Sequence, residues 1–229
     1  MTLRGICFDL FNTLIDVATV PESVGRFTAD ILGIDREAWR LACFGPMHDI
    51  CRPTDALPTL RKLAHSIDPE IPELLVQQAV IERQQRFDYA LLNIDVSILA
   101  MLNKLKQQGL KLALVSNASS SEVSAWQRSP LADYFDTATF SWETGLQKPQ
   151  PDIYLFTLQA LGLAAVEVIY IGDGGSEEHV GATQVGLRSV MVNYFLSAAT
   201  RSNYKERYAG LLHAEASSPA EVLEILGVV

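Results

Sequence analysis

The chain has 229 residues, of which 48% are apolar, and a formal net charge of −9. A chain of this size and apolar content can bury a sizeable core, in one large domain or in a core domain with a smaller companion, which excludes a disordered protein. Its acidity argues against nucleic-acid binding, because nucleic-acid surfaces cluster Lys and Arg against phosphates. No apolar run approaches the roughly 20 residues of a membrane helix, so we expect a cytoplasmic protein that makes no membrane contact.

The chain opens on an apolar segment, residues 5–9, which predicts a buried β-strand ending in Asp9. From residue 16 to residue 93 strand patterns are absent, and amphipathic stretches separated by prolines predict an inserted helical domain. The core domain is predicted to comprise residues 1–15 and 94–229. We expect the charged side chains of the inserted helices to lie on solvated faces, which applies to Glu82, Arg83 and Arg86.

Helices and short apolar strands alternate from residue 96 onward, and this pattern predicts an α/β fold with a doubly wound parallel sheet. One helix is predicted at residues 96–108, before Gly109, and another at residues 151–161, where a proline opens it. A last edge strand and a closing helix complete the pattern. The remaining predicted elements are strands at 110–116, 137–140, 166–171, 189–192 and 211–216 and a helix at 219–226.

Two polar patches follow predicted strands, and ligands gather at the carboxyl ends of strands in an open parallel sheet. Asp9 ends the first strand, where it could act as a nucleophile or serve only as a loop cap. Ser116 and Asn117 end another strand, where the hydroxyl could donate to an anionic oxygen or both residues could simply form a turn. Neither patch alone distinguishes a functional site from a loop cap or turn.

Two further patches carry charge. Lys148 precedes a helix that begins with proline, and a fixed ammonium can neutralise a nucleophilic carboxylate and a substrate anion together. Asp173 and Glu178 lie in a glycine-bearing loop after a strand and suit a hard cation such as Mg²⁺, which prefers oxygen ligands. A dinucleotide site is a poor alternative, because the G-x-G-x-x-G fingerprint is absent.

Taken in order, the segments FDLFNTL, VSN, KPQP and GDGGSEE resemble the four motifs of the haloacid dehalogenase superfamily across essentially the whole chain. The inserted helices resemble the α-helical cap domain that this superfamily carries after its first strand, here residues 16–93. The resemblance implies that Asp9 attacks the substrate and forms a covalent intermediate that water hydrolyses. It also implies that Ser116 hydrogen-bonds the transferring group, that Asn117 borders the substrate, and that Lys148 keeps Asp9 ionised.

The resemblance further implies a bound Mg²⁺. Its ligands would be Asp9, the backbone carbonyl of Phe11, Asp173 and Glu178, the last directly or through water. The expected substrate is a small anionic, phosphorylated metabolite, and the protein is expected to act as a monomer or homodimer.

Phe11 departs from the family pattern, because phosphatases of the superfamily usually carry there a second aspartate that transfers protons. Losing such help typically costs about 10² to 10⁴ in rate. Phe11 matches instead the 2-haloacid dehalogenase branch, whose halide leaves without a proton and which uses no metal. We weigh the retained Asp173 and Glu178 more heavily, because clustered carboxylates need a compensating cation. A metal-free dehalogenase and a binding protein without turnover remain alternatives.

Overall fold

The computed structural model describes residues 2–228. Six parallel strands form one sheet in the order β3-β2-β1-β4-β5-β6. The strand order reverses at β1, so the carboxyl end of this central strand is the position where open α/β sheets bind ligands. The strands are β1 (Gly5–Phe8), β2 (Lys111–Ser116), β3 (Thr137–Phe140), β4 (Val168–Gly172), β5 (Arg188–Val192) and β6 (Ala214–Ala216).

Helices cover both faces of the sheet, which confirms the predicted doubly wound α/β fold. Side chains alternate along β1, so that Ile6 and Phe8 pack into one apolar cluster and Cys7 into the other. Because both faces are covered, β1 and β4 are buried at every position. The core helices are α5 (Val96–Gln107), α6 (Ser141–Thr144), α7 (Pro151–Leu161), α8 (Glu178–Gln184), α9 (Ala198–Arg207) and α10 (Pro219–Ile225).

The segment between β1 and α5 is helical, as its sequence pattern predicts. It contains α1 (Thr28–Leu32), α2 (Arg36–Phe44), α3 (Ala56–Ile67) and α4 (Glu73–Leu92), which we call the helical insertion. Its apolar side chains form a cluster of their own, centred on residues such as Leu63 and Val76. The boundary at residues 16–93 stays a prediction. No helix within residues 2–228 is both long and apolar enough to cross a membrane.

The predicted solvated face of α4 is wrong for all three of its named charged residues, since even Glu82 is only 17% exposed and pairs with Arg26. Arg86 is buried, and its guanidinium donates to the backbone carbonyls of Val20 and Gly25 at 3.0 and 2.7 Å. Arg83 is only 20% exposed and forms an ion pair with Glu122 of the core at 2.6 Å. The helical sequence pattern assigns both arginines to the solvated face. An arginine can nevertheless enter an interface when carbonyl or carboxylate groups accept hydrogen bonds from its guanidinium.

Candidate active site

Asp9 lies immediately after β1, at the centre of the sheet, and its side chain is held on both oxygens. Its backbone N–H donates to the carbonyl of Ile171 at 2.9 Å, which fixes the residue against β4. Lys148 Nζ donates to Asp9 Oδ1 at 2.5 Å, and Thr13 Oγ1 donates to Oδ2 at 3.0 Å. The residue is only 4% exposed. The carboxylate is therefore fixed in orientation at the carboxyl end of the central strand.

Lys148 joins two carboxylates that are far apart in sequence. Besides Asp9, its ammonium donates to Glu178 Oε2 at 2.6 Å, and the lysine is buried. The amide of Asn117 holds the lysine backbone, since Lys148 N donates to Asn117 Oδ1 at 2.8 Å and Asn117 Nδ2 donates to Lys148 O at 3.0 Å. Asn117 thus positions the lysine, and its predicted contact with substrate stays a prediction.

Glu178 is fully buried at the start of α8, and both of its oxygens accept hydrogen bonds. Gly174 N donates to Oε1 at 2.8 Å, and Tyr170 OH donates to Oε2 at 2.8 Å. A Cβ on Gly172 would lie 2.1 Å from Glu178 Oε1, so the strand must end in glycine for the carboxylate to fit. The glutamate therefore fixes the ammonium of Lys148 as well as contributing charge.

Asp173 stands at the tip of β4, in the acidic loop that we define as residues 173–178. Gly175 N donates to Asp173 Oδ1 at 2.8 Å, and Asn12 Nδ2 donates to Oδ2 at 3.2 Å. Asn12 reaches this position from the turn after Asp9, where its φ is +56°. The first and fourth motifs are thus joined directly by side chains.

The three acidic residues that the sequence singles out come together. Asp9, Asp173 and Glu178 each offer a carboxylate oxygen, and these oxygens all lie within 4.8 Å of one another. With Lys148 as the one ammonium that these carboxylates contact in residues 2–228, the ionised group carries two negative charges in excess. Ligands held directly by Mg²⁺ at about 2.1 Å lie at most about 4.2 Å apart. Three carboxylate oxygens gathered within 4.8 Å therefore fit a hard divalent cation, held directly or through water.

Burial and charge shift the acid–base behaviour of these residues in opposite directions. Burial raises the pKa of Asp9 to about 6, an increase that Lys148 limits. The pKa of Asp173 lies well above its usual value, because the carboxyl is buried and faces Glu178 and Asp9. Burial alone would lower the pKa of Lys148, but the two carboxylates that it contacts raise it above its ordinary value. The lysine therefore stays charged, while the raised pKa values of Asp9 and Asp173 mean that a further cation would favour their ionised forms.

The hydroxyl of Ser116 is buried at the end of β2, and within residues 2–228 its Oγ has no hydrogen-bond partner. An unpartnered buried hydroxyl is costly unless another group uses it, so its position suits an oxygen of a bound substrate. Phe11 is half-buried and packs edge-to-face against Phe87 of α4, with ring centroids 5.6 Å apart. The predicted use of its backbone carbonyl as a metal ligand stays a prediction.

Sequence reasoning missed three residues whose side chains donate to the carboxylates of this constellation, namely Asn12, Thr13 and Tyr170. Thr13 follows Asp9 by four positions and bonds it across the turn, and a hydroxyl at that spacing could have been noticed. Tyr170 lies inside β4, where an aromatic residue indicates only core, yet its hydroxyl reaches Glu178. No local pattern reveals such a contact.

A family comparison decides the identity of the fold. The model of the haloacid dehalogenase-like hydrolase family matches residues 3–178 of this chain. The chain belongs to this family. The predicted resemblance to the haloacid dehalogenase superfamily is thereby confirmed.

Curated relatives of this haloacid dehalogenase-like hydrolase include metabolite phosphatases. Glyceraldehyde 3-phosphate phosphatase of Methanopyrus kandleri is 30% identical over 128 residues, which cover 55% of this chain and 53% of that protein. Phosphoserine phosphatase of Thermus thermophilus is 33% identical over 99 residues, which cover 41% and 38% respectively. The chain thus spans about half the length, or less, of these relatives.

Solved structures extend the likeness in fold to the whole chain. A HAD phosphatase from Thermococcus onnurineus has a TM-score of 0.64 and 22% identity, covering 99% of each chain. The L-2-haloacid dehalogenase from Xanthobacter autotrophicus has a TM-score of 0.66 and 19% identity, again covering 99% of each chain. Phosphatases and dehalogenases thus share this architecture, so the choice between the two reactions depends on the site.

Proposed function

We propose that this enzyme is a Mg²⁺-dependent phosphatase that acts on small anionic, phosphorylated metabolites with Asp9 as nucleophile. The observation that carries the proposal is the burial of Asp9, Asp173 and Glu178 around the single ammonium of Lys148. Buried carboxylates that are not neutralised are strongly unfavourable. A divalent cation would balance the two excess negative charges and favour the ionised form of Asp173, whose pKa burial raises. The names of the curated relatives agree with phosphatase chemistry.

In the proposed reaction, an oxygen of the Asp9 carboxylate attacks phosphorus, and the bond from phosphorus to the leaving oxygen breaks. The leaving oxygen takes a proton from a water molecule. The resulting hydroxide attacks the phosphorus of the aspartyl phosphate, and the bond between phosphorus and Asp9 breaks. This step releases inorganic phosphate and restores the carboxylate.

Each neighbour of Asp9 has a defined part in this proposal. Mg²⁺, held by Asp9, Asp173, the carbonyl of Phe11 and, directly or through water, Glu178, would offset negative charge on the phosphoryl oxygens. Lys148 keeps Asp9 ionised and adds positive charge at the reacting centre. Ser116 would donate its free hydroxyl to a phosphoryl oxygen, while Asn117 holds the lysine and borders the substrate.

The helical insertion would act as the cap that covers the substrate, with residues 16–93 as its extent. Its contacts with the core lie beside the motif after β2. Ser120 Oγ donates to the carbonyl of Thr54 at 3.2 Å, and Arg83 pairs with Glu122. A pocket closed in this way excludes water and strengthens the electrostatic contacts inside it.

A second candidate, a metal-free 2-haloacid dehalogenase, is favoured by one observation. Phe11 packs against Phe87 where a phosphatase would use an acid, and halide leaves without protonation. In that reaction a carboxylate oxygen of Asp9 would displace halide from carbon, and water would hydrolyse the ester at the Asp9 carbonyl.

A substrate panel separates the two reactions. Glyceraldehyde 3-phosphate, O-phosphoserine and other phosphorylated metabolites would be assayed for phosphate release, and 2-chloropropionate for chloride release, each with Mg²⁺ and with EDTA. We expect phosphate release that EDTA abolishes and added Mg²⁺ restores. Phosphate release that persists in EDTA would show that the reaction does not depend on a metal and would overturn the proposed mechanism.

Chloride release that is indifferent to EDTA would establish the dehalogenase, and a chain that releases neither product would be a binding protein. Asp9→Asn should abolish turnover in every active assay. Asp133→Asn, at an exposed position outside the site, is the matched control and should retain the parental rate.

A further inference from the structure

The acidic loop is held in place from outside by a tyrosine that follows α9. Tyr208 is 1% exposed, and its hydroxyl donates to the backbone carbonyl of Gly174 at 2.6 Å. Its ring packs edge-to-face against His179, with centroids 5.0 Å apart. Tyr208 touches neither Asp9 nor Lys148 through its hydroxyl. Its link to the site therefore runs through the loop backbone.

The carbonyl of Gly174 and the N–H of Gly175 belong to one planar peptide unit, in which the two groups point in opposite directions when the bond is trans. The oxygen of this unit accepts from Tyr208, while its N–H donates to Asp173 Oδ1 at 2.8 Å. Fixing the oxygen therefore fixes the direction of the N–H. The Tyr208 hydroxyl thereby orients the Asp173 carboxylate on the opposite side of the peptide unit.

The loop needs such an external contact, because its own backbone does not favour this shape. Gly174 has φ +103°, and the next two non-glycine residues, Ser176 and Glu177, have φ +53° and +50°. Side-chain-bearing residues adopt this left-handed region uncommonly. The two glycines flanking the 174–175 peptide leave it free to rotate unless something holds it.

Gly174 also permits the tyrosine contact. A Cβ at this position would lie 2.9 Å from Tyr204 and 3.0 Å from Tyr208. Both rings therefore pack against the bare backbone, but of the two tyrosines only Tyr208 hydrogen-bonds it. The Tyr204 side chain makes no hydrogen bond within residues 2–228, so this residue supplies a natural control.

We propose that Tyr208 is a positioning residue for the metal: its hydroxyl fixes the 174–175 peptide, whose N–H holds Asp173 in the orientation that binds Mg²⁺. This inference rests on the proposed metal-dependent function. Outer contacts that orient a metal ligand typically contribute about 10- to 100-fold to metal affinity. The role is separate from catalysis, because Tyr208 acts only through Asp173.

The test compares Tyr208→Phe with Tyr204→Phe in the full chain, with Mg²⁺ affinity measured by isothermal titration calorimetry. Tyr208→Phe keeps the ring and removes only the hydroxyl, so we expect the Kd for Mg²⁺ to rise about 10-fold. Tyr204→Phe should leave the Kd unchanged. As a readout that does not depend on metal, the amide hydrogen of Gly175 should exchange faster in Mg²⁺-free Tyr208→Phe than in the parent or in Tyr204→Phe.

An unchanged Kd in Tyr208→Phe, with a parent that binds Mg²⁺, would overturn the positioning role and leave the proposed function standing. A parent that binds no Mg²⁺ would overturn both. A Tyr208→Phe variant that fails to fold would also overturn the proposal, because the hydroxyl would then be required for folding and not only for metal binding. Equal losses of affinity in both variants would point to packing of the rings instead of the hydrogen bond.

Discussion

The ionisation of Asp9, the proposed nucleophile, is subject to two influences of opposite sign. Burial raises its pKa to about 6 and so disfavours the ionised form that a nucleophile needs. The ammonium of Lys148, 2.5 Å away, stabilises that ionised form. The balance leaves a carboxylate that is ionised near neutrality but poorly solvated, which suits a group that must attack an electrophile. The same balance makes the residue unfavourable for folding when no metal is bound.

Replacing Asp9 by Asn should flatten the dependence of folding stability on pH. A carboxyl with a pKa of about 6 in the folded chain and a usual value of 3.8 binds its proton more tightly when folded. The contribution of the protonated carboxyl to folding stability is therefore fully present below about pH 4 and is lost as pH rises through 6. The shift corresponds to roughly 3 kcal/mol. Thermal unfolding in EDTA between pH 4 and 7 measures the effect.

Asp133→Asn, which alters an exposed carboxylate, should retain the parental pH dependence. If thermal stability varies with pH in the same way for the parent and Asp9→Asn, the Asp9 carboxyl titrates at its usual pKa.

At the scale of the element, one buried arginine of α4 holds the stretch of chain that joins β1 to α1. Arg86 donates through Nη1 to the carbonyls of Val20 and Gly25 and through Nη2 to that of Val17 at 2.5 Å. These carbonyls belong to the segment that leaves β1, which has no regular hydrogen-bonded structure of its own between residues 21 and 27 beyond a turn. The guanidinium therefore organises the connection between strand and helix.

Arg86→Met should lower the free energy of unfolding by about 3 kcal/mol, because it removes hydrogen bonds from a charged donor and leaves buried carbonyls unpaired. Arg26→Met is the matched control: Arg26 is 46% exposed and pairs with Glu82, so its loss should lower the free energy of unfolding much less than the loss of Arg86. Urea denaturation of both variants measures the difference. Equal midpoints would mean that water replaces the guanidinium.

Element boundaries follow closely from the sequence. The helix at Pro151–Leu161 and the strand at Thr137–Phe140 match their predicted limits, because proline, glycine and unbroken apolar runs act locally. The gathering of Asp9 with Asp173 was equally predictable, since the carboxyl ends of parallel strands share one edge. Contacts of Arg86 and Tyr208 were not, because their acceptors are backbone carbonyls that every sequence contains.

At the scale of the whole molecule, the helical insertion meets the core through polar and aromatic contacts of α4. The pair Arg83–Glu122 is mostly buried, with side chains 20% and 10% exposed. Beside it, the guanidinium of Arg83 lies 4.6 Å from the ring centroid of Phe87, which in turn packs on Phe11. One helix thus contacts the first motif and the loop after β2 at once.

A double-mutant cycle on this pair should reveal strong coupling. Arg83→Met and Glu122→Gln should each destabilise the protein, and the double variant should be more stable than their sum predicts by about 1–3 kcal/mol. The exposed pair Arg4–Glu167, with side chains 58% and 27% exposed, is the control and should couple by less than about 1 kcal/mol. Thermal unfolding of the two cycles provides the comparison. Additive effects at Arg83 and Glu122 would mean that the insertion is held by other contacts.

The adjacency of β1 and β2 in the sheet has an evolutionary consequence. The helical insertion leaves the core after β1 and returns through α5 to β2, the strand hydrogen-bonded beside it. The insertion contributes no strand to the described sheet, so the pairing of β1 with β2 does not depend on it, and it has an apolar cluster of its own. Substitutions in that cluster can alter the inserted helices without disturbing strand pairing. On the proposed function, selection for new substrates can therefore act on the inserted helices while the carboxylates at the sheet edge are preserved.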